Sequence, residues 1–475
     1  MGTWIKSIGG YLPYLRLDRK VAARELAWTG LSMPGKGLRA VASWDEDPLT
    51  LAAEASRTLI GKAPPAAVRF ASTSAYFTDR SQAAMMIDAL AFPRSTRSAD
   101  AANSRRAATT ALLDALLASS GEVIAAADKR EVQPGNPSQL AFGDGAAAVR
   151  TGQAGCAELV GYASLTHDFI DRYASQEHPT SYAYEERFVR DTAVGEILLP
   201  TIKAACDMAG VTPEDIAHVA LAEPASGCWA ACARALQSNA PNHCATVTEN
   251  AGDLGAAHPL YGFGLALAAA QPGEMVLLVG FGSGADAMVF RVDEEVPGAS
   301  TMVQALGKGQ RLTNISRFLS LTGGIDIDWG MRAEFNQKAQ ATVLERIGRD
   351  TIGFIGGRDS QGNVQFPKSD IPVNPSLHTP ETLEDVRLAD ESAQIVSITA
   401  DRLNFTPDPP FDFGLVQFTN GARVLMEMVD RPVTGFEVGQ DVRMHLRIKS
   451  KNSSLGFRTY FWKAAPLDRP ALGDA

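Results

Sequence analysis

The chain spells out one α/β unit twice. A helix-forming stretch over 103–117 is followed by the apolar run 122–128, a Gly143-Asp144-Gly145 turn and an apolar run ending at Val149. A second such stretch over 262–270 is followed by the run 274–280, a Gly282-Ser283-Gly284 turn and the run 287–292. Short uninterrupted apolar runs read as strands buried on both faces, and their alternation with helices predicts a layered α/β core. The repetition predicts two related halves, 1–152 and 153–295. Further strands are expected at 67–73 and 216–221. Helices are expected at 81–91, 195–209 and 229–237, the first stopped by Pro93.

Length adds to this. A chain of 475 residues exceeds one ordinary domain. After residue 295 the repeated pattern stops. Residues 296–350 read as a helical linker with helices at 314–321 and 330–347. Residues 351–475 turn β-rich, with strands expected at 394–403, 413–418, 422–429, 441–449 and 458–462. Asn420-Gly421 is a hairpin signal. Five short strands between glycine turns predict a small barrel of the OB type.

Composition excludes several classes. Charged residues make up 21% and the net charge is −10, with no basic stripe, so no nucleic-acid partner is expected. The five cysteines are odd in number and form no CxxC pair, which argues against a disulfide framework and for a reducing cytoplasm. No apolar run reaches membrane-spanning length, and the first twenty residues carry no leader-like apolar segment. A soluble protein with no membrane partner is the expectation.

Several motifs carry more specific information: IKSIGGYLP from Ile5, the stretch from Asp100 to Leu112, AADKR from Ala126, FGDGAAA from Phe142, GAAHPLYG from Gly255 and GFGSGADA from Gly280. In order and spacing they resemble the 3-hydroxy-3-methylglutaryl-CoA synthase branch of the thiolase superfamily. The pieces GNVQFP from Gly362, TADRLNFTPDPP from Thr399 and YFWKAAP from Tyr460 resemble the OB-fold proteins, often with a zinc ribbon, that accompany thiolases. The resemblance implies a duplicated five-layer thiolase-like fold, then an OB-fold with a degenerate ribbon. It also implies acyl-CoA as ligand and a thiolase subunit as partner, within a homodimer or hetero-oligomer.

The same resemblance exposes what is missing. The family's nucleophilic cysteine falls on Arg105, its general acid/base glutamate on Thr73, its histidine on Ala222 and its asparagine on Asp253. A Claisen condensation needs a thiolate, a base and oxyanion donors. The four ribbon sulfur positions fall on Arg358, Gln361, Ile371 and Asn374, none of which supplies a thiolate, so no zinc and no permanently bound cofactor are expected. The expectation is a non-catalytic subunit that bridges or channels acyl-CoA. The alternative is an active condensing or thiolytic acyltransferase that uses substitute residues.

Individual side chains leave choices open at this level. Arg105 either grips a phosphate or carboxylate or fills an emptied pocket. Ser104 is a substitute nucleophile or a turn hydroxyl; His258 is a substitute base or a structural histidine. Asp253 and Glu223 are acid/base groups or caps. Cys228 and Cys232 read as buried small side chains. Arg94, Arg97, Arg105 and Arg106 cluster in sequence as candidate anion contacts, with Arg106 alternatively pairing at a subunit interface. The glycines Gly282 and Gly284 are expected to let the backbone approach closely at the ligand site.

Overall fold

The computed structural model describes residues 3–472 except 32, 62, 103, 176, 184, 329–340, 370, 372, 378–381, 454 and 455; the side chains of 341–344 are also outside the description. Nine strands form its main sheet. In spatial order they are Ile216–Leu221, Met275–Phe281, Gly284–Val292, Ala157–Thr166, Trp4–Tyr11, Gly145–Gly152, Glu122–Asp128, Ala67–Ala71 and Arg97–Ala101. Two pairings alone join Trp4–Tyr11 to Ala157–Thr166: Trp4 with Glu158 and Ile5 with Ala157. The sheet is therefore two sheets touching at a corner, one from each repeated unit.

Side-chain parity then sets the layers. Along Glu122–Asp128, Val123, Ala125 and Ala127 pack with helices Pro48–Arg57 and Gln82–Ala89. Ile124 and Ala126 face the other way, onto helices Ala107–Leu117 and His258–Ala269. In the second unit, Val276 and Leu278 face those same two helices. Leu277 and Val279 face helices Leu199–Ala209 and Cys228–Leu236. The order is helix, sheet, helix, sheet, helix. The two central helices are covered on both sides, which explains their alanine-rich composition and weak amphipathicity.

The C-terminal strands close on themselves. Phe411–Phe418 pairs with Ala393–Ile395, Thr399–Asp401 and Arg423–Glu427; Asp441–Asn452 pairs with Ala393–Ile395 and with Phe457–Pro466. A parallel bridge between Met428 and Ala464 completes the ring. Its interior is not a separate core. Val416, Phe418, Met444, Leu446 and Trp462 belong to the same apolar cluster as Leu49, Ala52 and Ala125 of the first unit.

Three consecutive acids fasten this contact. Asp47 caps helix Pro48–Arg57 through a capping box with Thr50, and proline at the first helical position suits that start. The same Asp47 accepts from Arg458 at 3.0 Å and Tyr460 at 2.7 Å. Asp45 meets Lys463 at 2.9 Å, and Glu46 pairs with Arg447. All of these partners lie on strands Asp441–Asn452 and Phe457–Pro466.

Some elements differ from the sequence expectation. The helix expected from 103 begins at Ala107, because Ser104–Arg106 form a turn; residue 103 lies outside the described residues. The edge strand Arg97–Ala101 carries exposed polar side chains and shows no alternation to read. The strand expected over 394–403 is two short strands on one partner. Within the segment expected as a linker, Gln310–Leu312 is a strand parallel to Leu15–Asp18. Most of the helix expected at 330–347 lies outside the described residues, which show a helix at Ala341–Gly353.

Candidate functional site

Arg105 sits in the turn between edge strand Arg97–Ala101 and central helix Ala107–Leu117. The second glycine turn presses directly on it. A side chain at Gly282 would lie 2.5 Å from Ser104 Oγ and 3.2 Å from the Arg105 nitrogen. Gly284 has φ +116°, and a side chain there would meet the Leu165 carbonyl at 2.1 Å. Both glycines thus allow a close approach of neighbouring chain segments.

The Arg105 side chain points inward and pairs with Asp171; the two side chains are 10% and 7% exposed. Burial, reinforced by Arg172 and Arg130, lowers the Arg105 guanidinium to about 9, so it stays charged at neutral pH. The next residue, Arg172, holds Asp253 at 2.9 Å, and Arg130 holds the same carboxylate at 3.3 Å. Although burial opposes ionisation, these cations keep the Asp253 carboxyl well below its usual range. Phe142 backs the arrangement. The Arg130 guanidinium lies 3.6 Å from its ring centroid and that of Arg172 lies 5.0 Å away. The two motif segments are registered to each other, since the Gly143 amide donates to Asp253 O at 2.9 Å.

The remaining family positions are equally committed. Thr73 donates to Asp128 from its amide at 2.8 Å and from Oγ1 at 3.0 Å. Asp128 also accepts from Ser72, Ser74 and the Ala256 amide. Ala222 follows strand Ile216–Leu221 and offers no proton acceptor. Beside it, burial raises the Glu223 carboxyl against the opposing pull of the amides of Trp229, Cys228 and Gly227. Asn242 Nδ2 donates to Glu223 Oε1 at 3.5 Å, and Glu223 Oε2 is buried without a hydrogen-bond partner among the described residues.

The two substitute groups are tied down as well. Ser104 Oγ donates to Gly282 O at 3.0 Å and accepts from the Arg106 amide at 3.1 Å, with no histidine or carboxylate among its hydrogen-bond partners. His258 is 3% exposed. Its Nδ1 accepts from the Leu254 amide at 3.1 Å, which leaves Nε2 to carry the proton toward Thr248 Oγ1 at 3.2 Å. Burial lowers it to about 4, so it is neutral at pH 7. The cysteine beside it, Cys244, is buried; burial raises its thiol well above the usual value, and Sγ faces His258 O at 3.7 Å. A thiolate is disfavoured there.

The arginine cluster seen in sequence does not hold together in space. Arg94 and Arg97 are exposed, at the sheet edge. Arg106 turns inward to Leu165 O at 2.9 Å and Asp286 at 3.6 Å, which is an internal contact rather than one across an interface. The groups that surround Arg105 are instead Asp171, Arg172, Arg130 and Asp253. Asp171 and Arg172 carry no motif signal, and only the fold brings them to Arg105. Arg130 was legible as the last residue of AADKR, though not its role.

The ribbon positions form a polar knot. Asn374 Nδ2 donates to Gln361 Oε1 at 2.9 Å, so two of the four family sulfur positions touch directly. Asp359 gathers the Gln361 and Asn363 amides at 2.9 and 2.8 Å and Asn374 at 3.4 Å. Arg358 turns away to Glu384 at 3.8 Å, and Ile371 is exposed. Among the described residues, no group of three His, Cys, Asp or Glu side chains could hold a metal ion. No described helix is long and apolar enough to cross a membrane.

Comparison with known proteins places the architecture. No family model matches the chain. Curated relatives include the hydroxymethylglutaryl-CoA synthases of Caldivirga maquilingensis, 26% identical over 331 residues (65% of this chain, 93% of the relative), and Aeropyrum pernix, 26% identical over 350 residues (70% and 93%). Among solved structures, an HMG-CoA synthase complexed with CoA superposes with a TM-score of 0.58 at 17% identity, covering 72% of this chain and 95% of that one. The HMG synthase of the curacin biosynthetic pathway, in complex with an acetyl donor-ACP, superposes with a TM-score of 0.58 at 14% identity, covering 74% and 95%. At these identities the structural likeness speaks for the fold.

Proposed function

We propose that this chain, an HMG-CoA synthase-like protein of the thiolase superfamily, is a non-catalytic subunit that binds acyl-CoA and partners a catalytically complete thiolase. One observation carries the reading. At the position of the family nucleophile stands Arg105, ion-paired with Asp171, and at the position of the family asparagine stands Asp253, clamped by Arg130 and Arg172. A condensing enzyme needs a thiolate and a free base. Ser104 and His258 have both of their hydrogen-bonding partners supplied from within the protein.

Other features support the parts of this reading. The order of pairings in the C-terminal ring, with its Met428–Ala464 closure, favours an OB-type barrel. The edge strand Arg97–Ala101 pairs on one side only, with Ala67–Ala71, and its other side is a template for a second copy or a thiolase subunit. Fusion fixes the stoichiometry of the two modules and holds them at high effective concentration. We place the protein in the cytoplasm on the strength of its unpaired cysteines.

The test uses the full chain with CoA and acetyl-CoA. Calorimetry is expected to give saturable binding, and intact-mass measurement is expected to show no acyl adduct after incubation. Co-expression with a cysteine-bearing thiolase is expected to give a stable complex. An acyl-protein adduct that disappears in Ser104→Ala overturns the non-catalytic reading; absence of saturable binding overturns the ligand.

A further inference from the structure

A cleft of about 200 Å³ opens where the C-terminal strands meet the first unit, and Arg130, one of the two arginines that clamp Asp253, also lines it. One wall is the turn 43–47 with Lys129, at the end of strand Glu122–Asp128. The other is Lys451 and Arg458 from strands Asp441–Asn452 and Phe457–Pro466. Four acids line it, and three are already used. Glu46 pairs with Arg447, and Asp47 with Arg458 and Tyr460. Asp144 lies 3.8 Å from Arg39 and accepts the Ala42 amide at 2.8 Å. The fourth, Glu131, is exposed.

Two cations remain uncompensated. Among the described residues, the Lys129 ammonium meets the carbonyls of Ser43 and Glu46, each at 2.9 Å, and the Lys451 ammonium meets the carbonyl of Trp44 at 2.9 Å. An ammonium has three donors. One donor on Lys129 and two on Lys451 are therefore left over, and the buried Nε of Arg458 also lacks a partner. Burial, with Lys129 and Arg458 close by, lowers Lys451 to about 8 against the opposing pull of Asp45 and Asp47, neither of which lies within ion-pair distance of it.

We infer that this cleft binds a phosphate monoester, with Lys129 and Lys451 as its charged donors. A phosphate monoester brings nearly two negative charges and three acceptor oxygens, which matches two uncompensated cations and four spare donors. A carboxylate brings one charge and two oxygens. The aromatic neighbours are already engaged by cations: Tyr76 carries Arg458 at 3.3 Å from its ring centroid, and Trp44 carries Lys463 at 4.8 Å and Lys451 at 5.4 Å. Recognition is thus of the phosphate itself.

The inference stands independently of the acyl-CoA reading. Calorimetry of the full chain with inorganic phosphate, at constant ionic strength, is expected to show saturable binding. Lys451→Gln is expected to weaken it by about tenfold or more. Lys129→Gln is expected to do the same, although its two carbonyl contacts make folding the first thing to check. Lys451→Gln gives up one carbonyl contact and a cation–π contact with the Trp44 ring at 5.4 Å, and its unfolding temperature without phosphate shows whether the fold is intact. Absence of phosphate binding by the native chain overturns the inference, as does unchanged affinity in folded Lys451→Gln. Displacement of phosphate by CoA but not by dephospho-CoA assigns the CoA 3′-phosphate as occupant; displacement by neither assigns a small free phosphate. CoA binding that survives Lys451→Gln unchanged leaves the acyl-CoA reading standing and places that ligand elsewhere.

Discussion

Asp171 stands against Arg105 as its buried counter-ion, 66 residues away in sequence and next to the arginine that clamps Asp253. A pair this deep is sensitive to the loss of one member. Asp171→Asn leaves an uncompensated guanidinium and is expected to cost about 3 kcal/mol or more of stability. The double change Arg105→Met with Asp171→Leu is expected to recover most of that loss. Urea unfolding of the two single variants and the double variant measures the coupling; additive losses would show that the pair does not act as a unit.

Restoring the cysteine alone is not expected to restore chemistry. In Arg105→Cys the new thiol faces no histidine at Ala222 to take up its proton. Incubation with acetyl-CoA followed by intact-mass measurement is expected to show no acetyl adduct.

Acid is expected to weaken the fold through His258. In the unfolded chain its imidazole takes up a proton near 6.5, whereas burial delays this to about 4 in the fold. Between those values the unfolded chain binds more protons, so stability is full above pH 6.5 and falls as pH drops toward 4. This group alone accounts for about 3 kcal/mol across that window. His243 is lowered in the same way, and His445 more strongly, so both add to the slope. His258→Gln is expected to flatten the fall measured by thermal unfolding between pH 6.5 and 4.5; an unchanged slope would remove His258 as a cause.

The ribbon is expected to be indifferent to chelators and sensitive to Asp359. Asp359→Ala removes the shared acceptor of Gln361, Asn363 and Asn374 and is expected to lower the unfolding temperature. The check is thermal unfolding with and without a chelator, beside the variant. A fall in unfolding temperature on chelation would put a metal back into the ribbon.

The fold was legible where burial leaves a periodic trace. The runs at 122–128 and 216–221 are strands with those bounds, because both of their faces are covered and every residue along them had to suit that. The edge strand Arg97–Ala101 was not legible, since its side chains are exposed and its pairing depends only on its neighbour. At the site, Thr73, Arg105, Ala222 and Asp253 were readable as expected departures from the family pattern. The partners Asp171 and Arg172 were not, because they lie in a segment of ordinary polar composition. The four arginines grouped along the chain show the same limit from the other side: neighbours in sequence, they point to different surroundings.

The apolar cluster that runs from Leu49 and Ala125 into Trp462 has a mechanical consequence. The C-terminal strands are anchored by shared core and by Asp45, Glu46 and Asp47, so they cannot swing as a tethered arm. On the proposed bridging role, a thioester would reach a partner subunit by its own flexible tail, and its reach would be set by how closely that partner docks.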